Sequence, residues 1–103
     1  MNIINVNWNK MTESFGKRPY RGGTRGHNLY MMKNNKGEVI RIGACTNLNS
    51  RMSTYKNDDR EDPRICKETT TIEYMVVKSR ELLLEMEKEA IRHLRPIYNL
   101  RVG

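Results

Sequence analysis

The chain of 103 residues carries 19 Lys and Arg against 12 Asp and Glu, for a formal net charge of +7. This length predicts one small domain, and the positive charge favours a polyanionic partner such as nucleic acid. No run of eighteen apolar residues and no signal-peptide pattern occurs, so we expect a cytoplasmic protein that does not associate with membranes. Cys45 and Cys66 lack CxxC spacing and are expected to be free thiols.

The first quarter of the chain is basic and rich in glycine. Residues 16–26 contain four glycines, one proline and four Lys or Arg residues, a composition that rarely packs into a core. We therefore predict a basic, flexible N-terminal arm over residues 1–27 and a folded domain over residues 28–103. Two interpretations of the arm stay open, a solvated tail or an arm that contacts phosphate groups. The candidate nucleic-acid contacts are Lys17, Arg18, Arg21 and Arg25, together with Lys56.

Three strands are predicted in the folded domain. Residues 28–33 and 38–42 have the pattern of a β-hairpin, joined by a turn that contains Gly37. Residues 69–77 are rich in β-branched and aromatic residues that alternate along the chain, which indicates a third strand. Hairpin pairing predicts a small three-stranded antiparallel sheet flanked by helices, an α+β fold.

Two helices complete the prediction. The first begins after Thr46 as N-cap, and the polar residues 57–63 end it. The second begins after Ser79 and runs to about Leu94, because Pro96 prevents its continuation. The apolar positions of the first helix recur at spacings of four and three residues: Leu48, Met52 and Tyr55.

Glu87 falls on the apolar face of the second predicted helix. At 100° per residue it lies among Leu83, Ala90, Ile91 and Leu94. Burying an unpaired carboxylate costs roughly several kcal/mol, so Glu87 needs a cation, hydrogen bonds or a metal. A tilted helix or a purely structural ion pair explains the same pattern.

A second group of polar residues is predicted to meet Glu87. Arg51 and Tyr55 are four residues apart on the first helix and therefore share one surface. An Arg beside a Tyr, facing Glu87 and the hairpin that carries Tyr30, is a candidate phosphate site.

The stretch from Asn28 to Leu100 resembles the GIY-YIG nuclease superfamily. The two half-motifs appear as Asn28-Leu29-Tyr30 and Arg41-Ile42-Gly43. Three further elements follow in the family's order: the run from Gly43 through Arg51 to Tyr55, the helix with Glu87, and the ending Pro96-Ile97-Tyr98-Asn99. Within the superfamily, the likeness is greatest to the N-terminal nuclease domain of the bacterial excision-repair incision subunit.

Two positions depart from the family pattern. Arg41 stands where the family usually has a tyrosine whose hydroxyl is implicated in catalysis, and Asn28 replaces the first glycine. Some restriction-enzyme members of the superfamily carry a basic residue at the position of Arg41.

The resemblance implies hydrolysis of DNA phosphodiester bonds with one divalent cation, Mg²⁺ or Mn²⁺. Glu87 is then the metal ligand, and Arg51 donates hydrogen bonds to the phosphate oxygens. Tyr30 orients or deprotonates the attacking water, provided that Arg41 lowers its pKa. The resemblance also assigns Tyr55 to the phosphate or water network, with core packing as the alternative. Asn99 either positions the Glu87 helix or caps the chain locally.

Alternative functions follow from the same residues. Loss of the tyrosine at position 41 would leave a catalytically impaired protein that binds DNA or inhibits a nuclease. A weaker alternative is a basic protein that binds RNA. The eleven asparagines and the small size fit a phage or mobile-element protein, and cleavage of both strands would favour a homodimer.

Overall fold

The structure, a computed structural model, describes residues 9–11, 25–57 and 61–99. Its elements are β1 (Asn9–Met11), β2 (Arg25–Lys33), β3 (Val39–Asn47), α1 (Leu48–Asn57), α2 (Pro63–Glu68), β4 (Thr71–Val77) and α3 (Arg80–Leu94). The sheet is antiparallel with strand order β1-β4-β2-β3. The predicted α+β fold is confirmed, and β2, β3 and β4 are its three predicted strands.

The sheet extends into the segment that the sequence assigned to the arm. β1 pairs with β4 at the edge of the sheet and adds a fourth strand that the sequence did not predict. β2 begins at Arg25, three residues before the predicted strand, because its first residues pair with β3 and β4. The predicted phosphate contacts Lys17, Arg18 and Arg21 lie outside the described residues.

The β2–β3 hairpin closes with the predicted turn. The Asn34 side-chain oxygen accepts from the main-chain nitrogens of Lys36 and Glu38, both at 3.0 Å, and Gly37 adopts a φ of 80°. Next to the turn, Lys33 of β2 pairs with Val39 of β3, whereas the preceding residue of β2, Met32, pairs with Arg41. This irregularity places two consecutive residues, Ile40 and Arg41, on the same face of the sheet. On that face Ile40 packs with α1 and Arg41 binds Tyr55.

Helices cover both faces of the sheet. On one face, α1 and α2 pack against a cluster that contains Tyr30, Met32, Ile40, Ile72, Leu48, Met52 and Ile65. On the other face, α3 packs against a cluster that contains Leu29, Met31, Ile42, Met75, Leu83, Met86 and Ala90. β2 is therefore buried on both sides, which fixes the orientation of its side chains.

The helix ends are set by local capping. Ser79 accepts from the main-chain nitrogen of Leu82 at 3.1 Å, and Arg95 takes a left-handed conformation before Pro96, as expected for the second predicted helix. The predicted cap of α1 is wrong. β3 continues through Thr46, and Asn47 instead accepts from the Ser50 nitrogen at 3.1 Å.

Several smaller features complete the fold. α2 was not predicted, and it begins where the Asp62 carboxylate accepts from the Arg64 nitrogen. Cys45 and Cys66 are free thiols, as predicted. In the described part of the chain, no helix has the length and hydropathy to cross a membrane.

Candidate active site

Two tyrosines and an arginine form a hydrogen-bonded chain at the interface of β2, α1 and β3. The hydroxyl oxygens of Tyr30 and Tyr55 lie 2.6 Å apart, and the two rings meet edge to face at 78°. Each tyrosine is only 2% exposed. Arg41 donates its Nε proton to the Tyr55 hydroxyl at 3.0 Å. The predicted site residues Tyr30, Arg41 and Tyr55 therefore meet directly.

Gly43 gives Tyr30 the space for this contact. The two residues pair across β2 and β3, and a Cβ atom at Gly43 would overlap the Tyr30 hydroxyl and ring. Only glycine lets the ring lie flat across β3 and reach Tyr55. The glycine of the second half-motif therefore has a packing role at the site.

Tyr30 is held as a neutral hydroxyl. Burial raises the pKa of Tyr30 well above its usual value and Tyr55 raises it further, whereas the charges of Arg51 and Arg41 lower it only in part. Arg41 lowers the Tyr30 pKa, as predicted, but burial and Tyr55 outweigh it, so of the two predicted roles orientation of the water fits better than its deprotonation. The two hydroxyls carry two protons, and their mutual bond uses one. The Arg41 guanidinium only donates, so the other hydroxyl proton takes no part in the bonds among these three residues.

Arg41 links the tyrosine pair to the C-terminal turn. In addition to its bond with Tyr55, its Nη1 donates to the main-chain oxygen of Tyr98 at 3.4 Å. Burial lowers the pKa of Arg41, but Tyr55, Tyr30 and Glu61 raise it above its ordinary value. Arg41 is therefore a fixed cation beside the two hydroxyls.

Glu87 lies at the margin of the buried face of α3, not at its centre. The fully buried residues of that face are Leu83, Met86 and Ala90, and Glu87 is half-buried beside them. Burial raises the pKa of Glu87, while the positive charges of Arg41 and Arg51 lower it in part. Among the residues that the structure describes, Glu87 forms no hydrogen bond or ion pair. Its carboxylate is available to a ligand.

Arg51 contributes a second cation from α1. It is partly buried, and its charge lowers the pKa of Glu87, Tyr30 and Cys45, so its guanidinium lies among these groups. Arg51 has no hydrogen-bond partner within the described ranges. Its planar set of donors is free to bind an oxyanion.

The donor set fits a hard divalent cation that keeps most of its waters. No group of three or more His, Cys, Asp or Glu side chains is close enough to hold a metal in residues 9–11, 25–57 and 61–99. Glu87 is the carboxylate that lies beside Arg41 and Arg51. Mg²⁺ is commonly held by one or two carboxylates and several waters, so this arrangement suits it.

The Asn99 side chain hydrogen-bonds β3, and within the described residues it forms no hydrogen bond with the Glu87 helix. Its side-chain nitrogen donates to the Ile42 oxygen at 2.8 Å, and its side-chain oxygen accepts from the Ile42 nitrogen at 2.6 Å. Both predicted roles of Asn99, positioning of α3 and a local cap, are therefore corrected. Ile42 lies 57 positions earlier in the chain, so this contact positions the strand that carries Arg41.

Tyr98 is a site residue that the sequence reasoning missed. Its nitrogen donates to the Ile40 oxygen at 2.9 Å, and its hydroxyl donates to Glu68 of α2 at 2.7 Å. The Arg64 guanidinium lies 5.2 Å from the centre of its ring. The signal was present in the Pro96-Ile97-Tyr98-Asn99 motif, but only the fold shows that the Tyr98 carbonyl meets Arg41.

A family model described as the UvrC-like GIY-YIG domain matches residues 27–100. The chain belongs to the GIY-YIG nuclease superfamily. The predicted recognition is thus confirmed. In this GIY-YIG domain, Arg41 stands where the second half-motif usually has a tyrosine.

Relatives of this GIY-YIG domain include much longer proteins. UvrABC system protein C of Chlamydia caviae is 40% identical over 76 residues, which is 70% of this chain and 13% of the relative. The protein of the same name from Mycoplasma capricolum is 36% identical over 73 residues, 69% of this chain and 12% of the relative. The chain therefore spans about one eighth of the length of these relatives.

Solved structures share the GIY-YIG fold. The N-terminal endonuclease domain of UvrC from Thermotoga maritima, in a point mutant bound to its catalytic divalent cation, gives a TM-score of 0.69 at 30% identity. That match covers 78% of this chain and 89% of the Thermotoga chain. A magnesium-bound structure of the same domain gives a TM-score of 0.67 at 28% identity, covering 77% and 89%.

Proposed function

We propose that this protein is a metal-dependent DNA endonuclease that hydrolyses phosphodiester bonds at one active site around Glu87. One observation carries the proposal: burial raises the pKa of the Glu87 carboxylate of α3, and the positive charges of Arg41 from β3 and Arg51 from α1 lower it in part, so the three groups are neighbours. Such a cluster supplies a carboxylate for a cation and guanidinium groups for a phosphate. The related Thermotoga domain, an endonuclease domain with a catalytic divalent cation, supports the same chemistry.

Arg51 is the proposed phosphate-binding residue. Negative charge grows on the non-bridging oxygens as water attacks phosphorus, and pre-positioned donors stabilise that charge. Arg51 is partly buried and has no partner in the described part of the chain, so its donors need not break another bond to bind substrate. Its proposed role is to stabilise that charge.

Tyr30 and Tyr55 are proposed to orient the attacking water. Their shared hydrogen bond fixes both hydroxyls, and it leaves one hydroxyl proton for the proposed bond to the water. The raised pKa of Tyr30, which follows first from burial, keeps it neutral, so it acts as a hydrogen-bond partner and not as a base. Arg41 holds Tyr55 in place and adds positive charge.

Glu87 is the proposed ligand of Mg²⁺ or Mn²⁺. When bound, the cation supplies positive charge that polarises the scissile phosphate. Burial raises the pKa of this carboxylate, and the two nearby guanidinium groups offset that rise in part. DNA is the proposed partner, with Lys56, Arg25 and the cations of the N-terminal arm as candidate phosphate contacts, consistent with the net charge of +7.

The test is cleavage of supercoiled plasmid with Mg²⁺ or Mn²⁺. Glu87→Gln and Arg51→Ala should each lower the rate by about 10²-fold or more, because each removes a group that acts on the reacting phosphate. Matched controls are Glu85→Gln and Arg80→Ala, two exposed residues of α3, which should cut like the wild type. A wild-type protein that cuts no faster than Glu87→Gln with either metal would refute the proposal.

A second candidate is a DNA-binding protein without turnover, and Arg41 in place of the tyrosine favours it. The contact from Arg41 to Tyr55 argues against this candidate, because the site keeps a hydrogen-bond donor at that position. The plasmid assay separates the two when DNA binding is measured in parallel. Tight binding by the wild type without metal-dependent cutting would support the binding protein.

A further inference from the structure

A pocket of about 420 Å³ opens between α1 and α2, beside the proposed active site. Tyr55 belongs to both features, because it lines the pocket and its hydroxyl binds Tyr30 and Arg41. Glu61 also lines the pocket, and its charge raises the pKa of Arg41. A group that enters this pocket therefore lies next to the tyrosine–arginine chain.

The lining combines apolar surface with two cations and the carboxylate of Glu61, so the positive charges exceed the negative one. Pro63 and Cys66 supply the apolar part, and Lys56 and Lys67 come from different helices to the same pocket. Both lysines are exposed, and neither forms an ion pair with any residue that the structure describes. The volume falls within the range of about 300–1,000 Å³ that is typical of ligand pockets. Apolar walls beside free cations suit a nucleotide, with its planar base and its phosphate.

We infer that this pocket receives one unpaired nucleotide of the DNA strand, adjacent to the phosphate that is cleaved. The inference rests on the proposed nuclease function and names its substrate class. Lys56 and Lys67 would bind the phosphate of that nucleotide, and its base would lie against Pro63 and Cys66. In a paired duplex the base is stacked inside the helix, so only a base outside the stack reaches such a pocket.

A substrate preference follows from this placement. DNA with an unpaired nucleotide, such as a bulge, a flap or a single strand, places a base in the pocket without loss of a base pair. An intact duplex pays a few kcal/mol, roughly, to unstack and unpair the same base. The enzyme should therefore bind and cut DNA with an unpaired nucleotide in preference to a perfect duplex.

Alkylation of Cys66 tests pocket occupancy without any cleavage. The thiol lines the pocket and is partly exposed, whereas Cys45 is buried in the core and serves as an internal reference. The full chain in EDTA is treated with iodoacetamide, and peptide mass spectrometry gives the rate at each cysteine. The probes are a single strand of about 12 nucleotides, the matching duplex, and inorganic phosphate.

The single strand, at about ten times its Kd, should slow Cys66 alkylation by about tenfold, because only the unbound fraction reacts. The duplex at equal occupancy and inorganic phosphate should leave the rate nearly unchanged. The inference is overturned if the bound single strand gives no protection, or if the duplex or phosphate protects equally. Failure of the plasmid assay would refute the nuclease proposal, whereas this measurement needs no turnover and stands separately.

A variant pair extends the test to cutting. Lys67→Gln should raise KM for bulged DNA several-fold and leave kcat nearly unchanged, because Lys67 binds the flanking nucleotide and not the scissile phosphate. Lys88→Gln, an exposed residue of α3, removes the same charge away from the pocket and is the control. An equal change in KM for both variants would show that only net charge matters, and would overturn the pocket assignment.

Discussion

The side-chain amide of Asn99 binds both main-chain groups of Ile42, accepting from its nitrogen at 2.6 Å and donating to its oxygen at 2.8 Å. Asn99 thus acts as one residue of an additional strand along β3. The carbonyl oxygen of the preceding residue, Tyr98, accepts a hydrogen bond from Nη1 of Arg41. The position of Arg41 therefore depends on a contact formed by the far end of the folded domain.

Asn99→Ala should destabilise the protein by about 1–3 kcal/mol, because it leaves both Ile42 groups without their side-chain partner. Each kcal/mol lowers Tm by about 4–8 °C in a domain of this size. Asn99→Asp should also destabilise, because a carboxylate cannot donate to the Ile42 oxygen. Thermal unfolding followed by circular dichroism measures both effects. Unchanged Tm values would show that solvent replaces the amide at no cost.

Gly43→Ala should destabilise by about 1–3 kcal/mol, because the added methyl group overlaps the Tyr30 ring and hydroxyl. Displacement of the ring should also break its bond to Tyr55 and slow cleavage. Thr46→Ala, at an exposed position of the same strand, is the matched control and should change little. A Gly43→Ala protein with wild-type Tm and cleavage rate would contradict the assigned packing role.

Arg41→Lys should lower kcat by about 10²-fold although it keeps the positive charge. The two contacts of Arg41, to the Tyr55 hydroxyl and the Tyr98 carbonyl, use different nitrogens of a rigid group, which one ammonium cannot reproduce. Steady-state cleavage of a labelled oligonucleotide measures the effect. Arg92→Lys, at an exposed position on α3, is the control. Equal rates for wild type and Arg41→Lys would mean that charge alone is required.

Metal binding should weaken on acidification at a higher pH than for an exposed glutamate. Burial raises the pKa of Glu87, and only the ionised carboxylate binds the cation, so protons compete from that higher pH downward. Arg51→Ala removes a charge that lowers this pKa and should move the loss of binding to still higher pH. Arg80→Ala, at an exposed position of α3, is the control and should leave the pH of this loss unchanged. Calorimetric titration of Mn²⁺ over a pH series checks this, and identical pH profiles for both variants would be the contrary result.

Tyr30 should make the protein sensitive to alkali. Its pKa is raised in the folded state by burial, so the stability of the neutral form is complete at neutral pH and is lost as pH rises above about 10. Tyr30→Phe should cost about 1 kcal/mol at neutral pH through the lost bond to Tyr55, and should lose less stability in alkali. Urea unfolding from pH 7 to 11 measures both. Parallel pH curves would contradict the burial effect.

Local patterns predicted most of the secondary structure. The β2–β3 hairpin follows from the Asn34 and Gly37 turn, and α3 follows from Ser79 and Pro96 at its ends. α2 was not predicted because its six residues are too few to show a helical period. β1 was not predicted either, because it has only three residues, and they pair with a strand that is distant in the sequence.

The identity of the site residues was predictable, but their chemical state was not. Motif spacing pointed to Tyr30, Arg41 and Glu87, whose nearness depends on residues that are far apart in sequence. The pKa of Tyr30 depends on burial by both helices of one face, which no local pattern reports. Asn99 and Ile42 are 57 positions apart, so the sequence did not identify Ile42 as the partner of Asn99.

The turn over residues 96–99 has a consequence for solubility. β3 is an outer strand of the sheet, and an open outer strand is a template on which another chain can add a strand of its own. Tyr98 and Asn99 already occupy main-chain groups of Ile40 and Ile42 on that side. The turn that aligns Arg41 for the reaction therefore also blocks polymerisation of the protein along this stretch of β3.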